Sequence, residues 1–405
     1  MAINPEEFKK RREARAKKRL RQKKMLRILG LAGGALLAVG IVILVIVLAG
    51  RNAPAKPQEE EKTNKTVVHI AAVGDLNVTQ RLVESGGANY DYTDTFKDVL
   101  PLLANADVTL MNLEGNFYGQ PYGTDRSAPQ SLASAMARAG VDVVQVANSY
   151  SIYKGMDGLK KTLTALKDEG LTPLGAYATT GEAQAAKGYV IRNVQGVKIA
   201  FVAFTKGMDG MALPAGNEGC VNVLYEDYST DYRKVDTENI SRILDAAEKE
   251  KPDLTVAMLH WGSEFNDNVS QSQEDILKML QSRGVDIVIG THSHYVQKMV
   301  LDKEKGTFVA YSLGDFVGTE RAGSEYSVVL DLEITKDLDS GKTTVTGFDY
   351  TPIFTVAEAE KPLRVVRIAE TMDAYDKDYL DRITPETYDA MTYALKRIEA
   401  RITGQ

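Results

Sequence analysis

Residues 285–294, Val-Asp-Ile-Val-Ile-Gly-Thr-His-Ser-His, join a short apolar run to a compact polar cluster. An apolar run of this length, closed by a glycine, is typical of a buried strand in an α/β sheet. The same pattern recurs along the chain. Further strands are predicted at residues 67–73, 108–111, 141–147, 198–204, 254–259 and 307–312.

Helical patterns separate several of these predicted strands. Apolar side chains recur every three or four residues over 157–169, 237–250 and 270–283, which predicts amphipathic helices. Alternating strands and helices indicate a layered α/β domain. Further along, the alternating segments 327–334 and 342–350 flank a turn sequence and predict a hairpin. The last 50 or so residues are charged, and a helix is predicted over 385–402.

Polar side chains follow the predicted strands at the point where each strand ends. In α/β sheets, ligands bind beyond the carboxyl ends of the strands, so we expect these side chains to converge. Three of the four histidines stand at such positions. Imidazoles with carboxylates suit a first-row divalent metal such as Mn, Fe or Zn. The candidate metal ligands are Asp75, Glu114, Asn148, His260, His292 and His294.

Several of these residues also have a structural interpretation. Asp75 could cap a turn, Glu114 could bond loop backbone, and Asn148 could form an Asx turn. His69 lies inside the first predicted strand, which indicates a structural role. Trp261 is expected to pack or to form a wall of the pocket rather than to react.

The first 50 residues have the pattern of a membrane anchor. Residues 1–27 carry 12 basic and three acidic residues, a net charge of +9, and residues 28–50 carry no charge. About 20 apolar residues cross a bilayer, and basic flanks stay in the cytoplasm. We therefore expect a basic cytoplasmic segment at 1–27 and a single-pass transmembrane helix at 28–50. The linker 51–65 and the rest of the chain would then be extracellular, attached to the cell membrane. A cleaved signal peptide is the alternative, although its apolar core is shorter, about 7–15 residues.

Charge and cysteine content narrow the possible functions. The whole chain has a net charge of −6, and subtracting the +9 of residues 1–27 leaves −15 for the remainder. An acidic domain argues against a nucleic-acid partner. Cys220 is the only cysteine, so no intramolecular disulfide can form. No base lies near it in sequence to make it a nucleophile.

Six strand-end motifs together resemble the bacterial capsule synthesis protein family CapA. In matching order over roughly residues 66–320 they are Gly74-Asp75, Asn112-Leu113-Glu114, Ala147-Asn148, Leu259-His260-Trp261-Gly262-Ser263-Glu264, Gly290-Thr291-His292-Ser293-His294 and Ala310-Tyr311-Ser312-Leu313-Gly314-Asp315-Phe316. The resemblance implies a calcineurin-like metallophosphoesterase fold, a four-layer αββα sandwich, at 66–355. A C-terminal helical extension would follow at 356–405. The resemblance also implies a role in capsule, poly-γ-glutamate or other envelope polymer synthesis. The expected partners are an anionic extracellular polymer and other subunits of a synthesis or export complex.

The chain departs from the family pattern after the third motif strand. Where the family has Ala-Asn-Asn-His, residues 147–150 read Ala-Asn-Ser-Tyr, and Asp315 replaces a family asparagine. In related phosphoesterases that histidine protonates the leaving oxygen. A phenol, with a pKa near about 10, is a poor substitute at neutral pH. Tyr150 and Asn148 are therefore the candidate catalytic residues.

Two functions stay open at this point. One is a hydrolase in which a metal-activated hydroxide attacks a phosphoester. The other is a non-catalytic scaffold that binds an anionic polymer or partner enzymes of a membrane complex. The tyrosine at position 150 favours the scaffold, whereas the retained histidines favour a metal site.

Overall fold

The computed structural model describes residues 64–318, 321–359, 361–377 and 383–404. The predicted cytoplasmic segment, the predicted transmembrane helix at 28–50 and nearly all of the predicted linker lie outside these residues. Within the ranges described, no helix is both long and apolar enough to cross a membrane. The first strand begins at Lys65, at the boundary between the predicted linker and the predicted domain.

The predicted strands and helices are present in the predicted order, together with shorter elements that were not predicted from the sequence. The strands are β1 (Lys65–Asn77), β2 (Val108–Glu114), β3 (Val143–Gln145), β4 (Thr172–Leu174), β5 (Tyr189–Val194), β6 (Val197–Thr205), β7 (Leu254–His260), β8 (Ile287–Thr291), β9 (Met299–Asp302), β10 (Thr307–Ala310), β11 (Asp315–Val317), β12 (Tyr326–Asp337), β13 (Thr343–Val356) and β14 (Arg364–Arg367). The α-helices are α1 (Gln80–Ser85), α2 (Thr93–Phe96), α3 (Leu100–Asn105), α4 (Ser131–Ala139), α5 (Gly155–Asp168), α6 (Thr180–Ala186), α7 (Thr237–Glu248), α8 (Gln271–Ser282), α9 (Ile368–Asp376) and α10 (Pro385–Thr403). A short 3-10 helix covers Gly87–Asn89.

The strands form two mixed sheets. In the larger sheet the order is β14-β13-β12-β1-β2-β3-β4, and β11 pairs with β1 in parallel. In the smaller sheet the order is β5-β6-β7-β8-β10-β9. In the larger sheet the pairs β1–β2, β2–β3 and β3–β4 are parallel. In the smaller sheet the pairs β6–β7, β7–β8 and β8–β10 are parallel. The predicted hairpin is the antiparallel pair β12 and β13. The predicted α/β class is therefore confirmed.

One apolar core lies between the two sheets. Ile70 and Leu110 of the larger sheet are buried in the same cluster as Phe201, Met258 and Ile289 of the smaller sheet. Alternate residues of a strand share one face, so the two sheets pack face to face. Each fully buried side chain of this size contributes about 1.5–3 kcal/mol. The core can therefore hold the strand ends in fixed positions.

Helices cover the outer faces of the sheets. On the smaller sheet, Ile243 of α7 and Leu280 of α8 are buried in one cluster with Leu259 of β7. On the larger sheet, Thr109 Oγ1 of β2 donates to the carbonyl of Leu103 in α3 at 2.7 Å. The chain therefore forms layers of helix, sheet, sheet and helix.

The C-terminal helix α10 belongs to the same core. Met391, Ala394, Ile398 and Ile402 are buried with the inner faces of the sheets, and their spacing of three and four residues places them on one helix face. The helix predicted at 385–402 is confirmed. The predicted extension, 356–405, also contributes β14 to the larger sheet.

Candidate metal centre

Strand ends of both sheets bring the candidate ligands together. Asp75 lies near the end of β1, opposite Asp315 at the start of β11. Glu114 is the last residue of β2, and His260 is the last residue of β7. Just after β8 come His292 and His294. Five of the six predicted metal ligands therefore converge, and Asp315 joins them.

Two sets of potential ligands are found within the described residues. In the first, here named the Glu114 group, Glu114, His260 and His292 place one ligand atom each within 4.8 Å of the others. In the second, the Asp75 group, Asp75, His294 and Asp315 do the same. The ring of His292 lies 4.4 Å from that of His260 and 6.4 Å from that of His294, between ring centroids. The two groups are therefore adjacent.

Each group draws on both sheets. The Glu114 group combines Glu114 of the larger sheet with two histidines of the smaller sheet. The Asp75 group combines two carboxylates of the larger sheet with His294, which follows β8 of the smaller one. Neither group can form until the sheets have packed. This explains why no short sequence motif contains a complete ligand set.

Several ligand atoms are buried and form no hydrogen bond within the described residues. Both carboxylate oxygens of Glu114 and Nδ1 of His292 are buried and make none within the described residues. Glu114 Oε1 lies 3.0 Å from Nε2 of His260, but this close approach lacks hydrogen-bond geometry. Buried polar atoms are normally satisfied. A divalent cation would satisfy these atoms, so the donor set fits a metal.

The pKa values of the buried groups agree with this assignment. Burial raises the pKa of Asp75, and the neighbouring carboxylates of Glu114 and Asp315 raise it further. Burial likewise raises the pKa of Glu114. The positive charges of His294 and Arg126 only partly offset this effect, and a metal ion would supply further compensation.

The histidines differ from one another. Burial lowers the pKa of His260 and of His292, so both rings are neutral at pH 7 and keep a lone pair for a metal. Burial also opposes protonation of His294, but the carboxylates of Asp315, Glu114 and Asp75 outweigh it and raise its pKa to about 11. In the absence of metal, a proton on His294 therefore takes part of the role of the missing cation.

Hydrogen bonds outside the two groups orient the ligands. Asp75 accepts from Asn112 Nδ2 at 2.6 Å and from the backbone N–H of His292 at 3.0 Å. Nδ1 of His260 lies 3.0 Å from Thr291 Oγ1, which leaves Nε2 facing Glu114. Such bonds fix ring orientation and tune ligand strength in metal sites.

The backbone at the histidine pair is strained. His292 has a φ of 87° and His294 a φ of 59°, and left-handed conformations are uncommon for residues with a side chain. Strained residues persist where the surrounding structure holds them, and they cluster at functional sites. At Gly290 an added Cβ would lie 1.9 Å from the carbonyl oxygen of Tyr311. Glycine is therefore required for the close packing beneath the histidines.

Asn148 lies outside both ligand groups. Its Nδ2 donates to Asn112 Oδ1 at 3.1 Å and to the carbonyl of Leu113 at 2.6 Å. Its Oδ1 accepts from the backbone N–H of Tyr150 at 3.0 Å. The contact with Tyr150 is that of an Asx turn, and the contact with Asn112 joins Asn148 to the residue that bonds Asp75. A role of Asn148 as a metal ligand stays a prediction. The adjacent Ser149, which sequence reasoning missed, instead places Oγ 3.0 Å from Nε2 of His260.

Tyr150 lies beside an arginine. Its hydroxyl accepts from Arg126 Nη2 at 2.9 Å, and the Arg126 guanidinium lies 4.5 Å from the centre of its ring. No local sequence pattern predicts this pairing, because Arg126 belongs to the loop after β2.

The remaining residues considered from the sequence have structural surroundings. Trp261 is buried, donates to the carbonyl of Tyr311 at 2.9 Å and stacks on its ring. His69 is part-exposed and lies 3.1 Å from Asp331. Cys220 is buried with a free thiol, and burial raises the pKa of that thiol. These findings agree with the structural interpretations of all three residues.

Solved structures with a similar fold include phosphoesterases. A calcineurin-like phosphoesterase from Bacillus subtilis matches at 16% identity and a TM-score of 0.45, over 82% of this chain and 99% of that one. A phosphatase from Mycoplasma pneumoniae matches at 12% identity and a TM-score of 0.42, over 71% of this chain and 94% of that one. The similarity concerns the overall fold alone.

Relatives by sequence are capsule proteins. The chain is 30% identical over 273 residues to the capsule biosynthesis protein CapA of Bacillus anthracis. This alignment covers 65% of this chain but only 62% of the relative. It is 23% identical over 289 residues to the PGA biosynthesis protein CapA of Bacillus subtilis strain 168, which covers 69% of this chain and 70% of that protein. Residues 69–320, which include every member of both ligand groups, match the family described as bacterial capsule synthesis protein PGA_cap. The chain therefore belongs to the PGA_cap family of bacterial capsule synthesis proteins.

Proposed function

We propose that this chain is a membrane-anchored, extracellular component of capsule or poly-γ-glutamate synthesis whose folded domain binds divalent metal. Membership of the capsule synthesis family supports the role in polymer synthesis. The basic segment at 1–27 and the uncharged run at 28–50 support the anchor and its orientation. An anionic extracellular polymer and other subunits of a membrane complex are the partners that this role implies.

The metal proposal rests mainly on the unsatisfied atoms of the Glu114 group. Two carboxylate oxygens and a ring nitrogen, all buried, have no hydrogen bond within the described residues. The adjacent Asp75 group adds two carboxylates and a third imidazole. Imidazole nitrogen and carboxylate oxygen together suit Mn, Fe or Zn. The arrangement is the one expected of a calcineurin-like metallophosphoesterase domain.

A divalent ion bound here would supply Lewis acidity and lower the pKa of a coordinated water. The protein's own residues would orient the site. Thr291 holds the ring of His260, and Asn112 and the backbone of His292 hold Asp75. Asp315 holds His294 through a contact of 2.8 Å between Oδ1 and Nδ1.

Binding, rather than rapid hydrolysis, is the activity that the site supports best. The position at which the family has histidine carries Tyr150, and its hydroxyl is bonded to Arg126. An arginine stays protonated at neutral pH and cannot act as a general acid. The site can therefore bind a metal and an anion but lacks an efficient proton donor.

A slow hydrolase is the second candidate, and one contact favours it. If the Tyr150 hydroxyl donated a proton to a leaving oxygen, the guanidinium of Arg126 at 2.9 Å would stabilise the phenolate that remains. Tyr150 would then be catalytic. The two candidates differ in whether turnover requires the hydroxyl.

Elemental analysis and thermal unfolding of the full chain in detergent test the metal proposal. We expect bound divalent metal, and a melting temperature that rises with added Mn²⁺ or Zn²⁺. At 100 times the Kd a ligand stabilises the folded state by about 2.7 kcal/mol. His292→Gln and Asp75→Asn should reduce both effects, whereas His69→Gln, which changes the part-exposed histidine outside the groups, should not. A metal-free protein with an unchanged melting curve at millimolar metal would refute the proposal.

A further inference from the structure

Lys206 lies next to the Glu114 group. Its backbone N–H donates to the carbonyl of His260 at 2.8 Å, and its Nζ donates to the carbonyl of Gly262 at 2.8 Å. The ammonium also lies 4.7 Å from the centre of the Tyr232 ring. Among the described residues, no carboxylate forms an ion pair with Lys206. Its charge is therefore held beside His260 without a neutralising carboxylate in contact.

Arg126 approaches from another loop. Residues 125 and 126 have φ angles of 51° and 56°, a left-handed conformation that requires support from the surroundings. Asn116 supplies it: its N–H donates to the Arg126 carbonyl at 2.8 Å and its Nδ2 to the Asp125 carbonyl at 2.9 Å. Lys154 holds the Asp125 carboxylate at 2.8 Å. The loop thereby fixes the guanidinium against Tyr150, the residue that follows Ser149.

Both cations act electrostatically on the same ligand group. The charge of Arg126 lowers the pKa of Glu114, against the larger effect of burial. The charge of Lys206 adds to burial in lowering the pKa of His260 and of His292. The contacts above place the Lys206 ammonium at Gly262, two residues after His260, and the Arg126 guanidinium at Tyr150, the neighbour of the Ser149 that contacts His260.

The charge balance of a site loaded with two metal ions would favour an anionic ligand. The two groups contain three buried carboxylates, which two divalent ions would more than neutralise. Arg126 and Lys206 add two positive charges beside them. An excess of positive charge at a buried site is costly, and an oxyanion between the metals and these side chains would reduce it.

We propose that Arg126 and Lys206 form an oxyanion subsite beside the Glu114 group, which binds a phosphate or carboxylate group of the ligand. The guanidinium can donate two parallel hydrogen bonds to either group, and the ammonium acts as a point charge. This inference rests on the proposed metal-binding function and extends it to the chemical class of the ligand. It also gives Tyr150 a role, because the ring and hydroxyl of Tyr150 hold the guanidinium in place.

Calorimetric titration of the metal-loaded full chain with inorganic phosphate, and separately with acetate, tests the subsite. We expect at least one probe to bind. Hydrogen bonds to charged groups contribute about 1.5–3 kcal/mol, so Arg126→Gln and Lys206→Met should each weaken that probe roughly tenfold or more. Lys206→Arg, which keeps the charge, should retain more affinity than Lys206→Met. Preference for phosphate would indicate a phosphoryl ligand, and preference for acetate a carboxylate one.

Lys187→Gln is the matched control. Lys187 is exposed and has the same φ of 56° as Arg126, but it follows α6, which supplies no site residue. Metal content, melting temperature and anion affinity should be unchanged in Lys187→Gln, and Arg126→Gln and Lys206→Met are compared with wild type at equal metal content. Two results would overturn the subsite and leave the metal proposal standing. One is a wild-type protein that holds metal but binds neither probe. The other is that Arg126→Gln and Lys206→Met bind the probes as wild type does.

If the chain holds no metal, the proposed function fails. The subsite would still be supported if the metal-free wild type binds a probe and the metal-free Arg126→Gln and Lys206→Met variants do not. It would be overturned if the metal-free wild type binds no probe, or if the two variants bind as it does.

Discussion

Ser149 Oγ lies 3.0 Å from Nε2 of His260, the ring atom that faces Glu114. The hydroxyl therefore stands at the Glu114 group, while the side chain of Asn148 next to it bonds backbone and Asn112. In the family pattern the residue at position 149 is an asparagine. This chain presents a smaller oxygen donor at the same place.

We predict that Ser149→Ala weakens metal binding without unfolding the protein. Loss of groups that support metal ligands typically costs 10- to 100-fold in affinity, and we expect a loss of about tenfold. Metal titration followed by calorimetry would measure it. Ser282→Ala is the control, because within the described residues the Ser282 hydroxyl donates to the carbonyl of Met279 alone, at the end of α8. Equal metal affinity in wild type and Ser149→Ala would show that the hydroxyl serves only the hydrogen bond to His260.

Gly290→Ala should destabilise the domain. The new Cβ would lie 1.9 Å from the Tyr311 carbonyl oxygen and 2.6 Å from Nε1 of Trp261, so β8 must shift. Overpacking of this kind typically costs about 1–3 kcal/mol. Urea unfolding of the metal-free protein would show it. At Gly347 an added Cβ has its nearest neighbour at 3.9 Å, so Gly347→Ala should leave the midpoint nearly unchanged. A similar midpoint for both variants would contradict the packing described.

Tyr150→His should raise the rate of phosphodiester hydrolysis. The wild type is expected to turn over chromogenic phosphodiesters slowly or not at all, because it lacks an imidazole at this position. General acid catalysis typically contributes about 10²–10⁴-fold, which sets the largest gain to expect. Tyr150→Phe is the control, since it removes the bond to Arg126 without adding an acid. A fast wild type whose activity is lost in Tyr150→Phe would instead make the tyrosine catalytic.

Ile398→Ala should cost about 2–5 kcal/mol of folding free energy, the usual range for a buried aliphatic side chain. Ile398 is 1% exposed and belongs to the core between the sheets. Tyr393 of the same helix is 58% exposed, and Tyr393→Ala should change stability by no more than about 0.5 kcal/mol. Denaturant midpoints would compare the two. A small effect of Ile398→Ala would mean that α10 is dispensable for the fold.

Protease added to intact protoplasts should remove the domain after residue 51 and leave a small membrane-bound N-terminal fragment. The expectation follows from the net charge of +9 before the uncharged run 28–50. Lysed protoplasts provide the control for access to the cytoplasmic side. Protection of the large domain in intact protoplasts, with digestion after lysis, would reverse the proposed topology.

Most of the strands and most of the residues that converge at the site could be predicted from the sequence, because both depend on local patterns. His260, His292 and His294 each follow an apolar run directly, and strand ends in parallel sheets lie at one edge. Asp315 was recognised as an added carboxylate but not as a ligand. Its place depends on the pairing of β11 with β1, which no local pattern encodes.

Asn148 and Ser149 show a second limit. Both are polar and adjacent, and their side chains point to different surroundings because Asn148 forms the turn. Which of the two reaches His260 depends on backbone dihedral angles rather than on residue type. The Arg126–Tyr150 contact has the same origin, since the left-handed backbone at 125 and 126 sets the direction of the arginine.

The division of each ligand group between the two sheets has a mechanical consequence. Within the core, apolar contacts between the sheets are non-directional, so the sheets resist separation more strongly than they resist sliding. A metal ion in either group would be bonded to both sheets at once, and sliding would then break coordinate bonds. The metal-loaded domain would therefore resist shear between its two sheets more strongly than the metal-free domain.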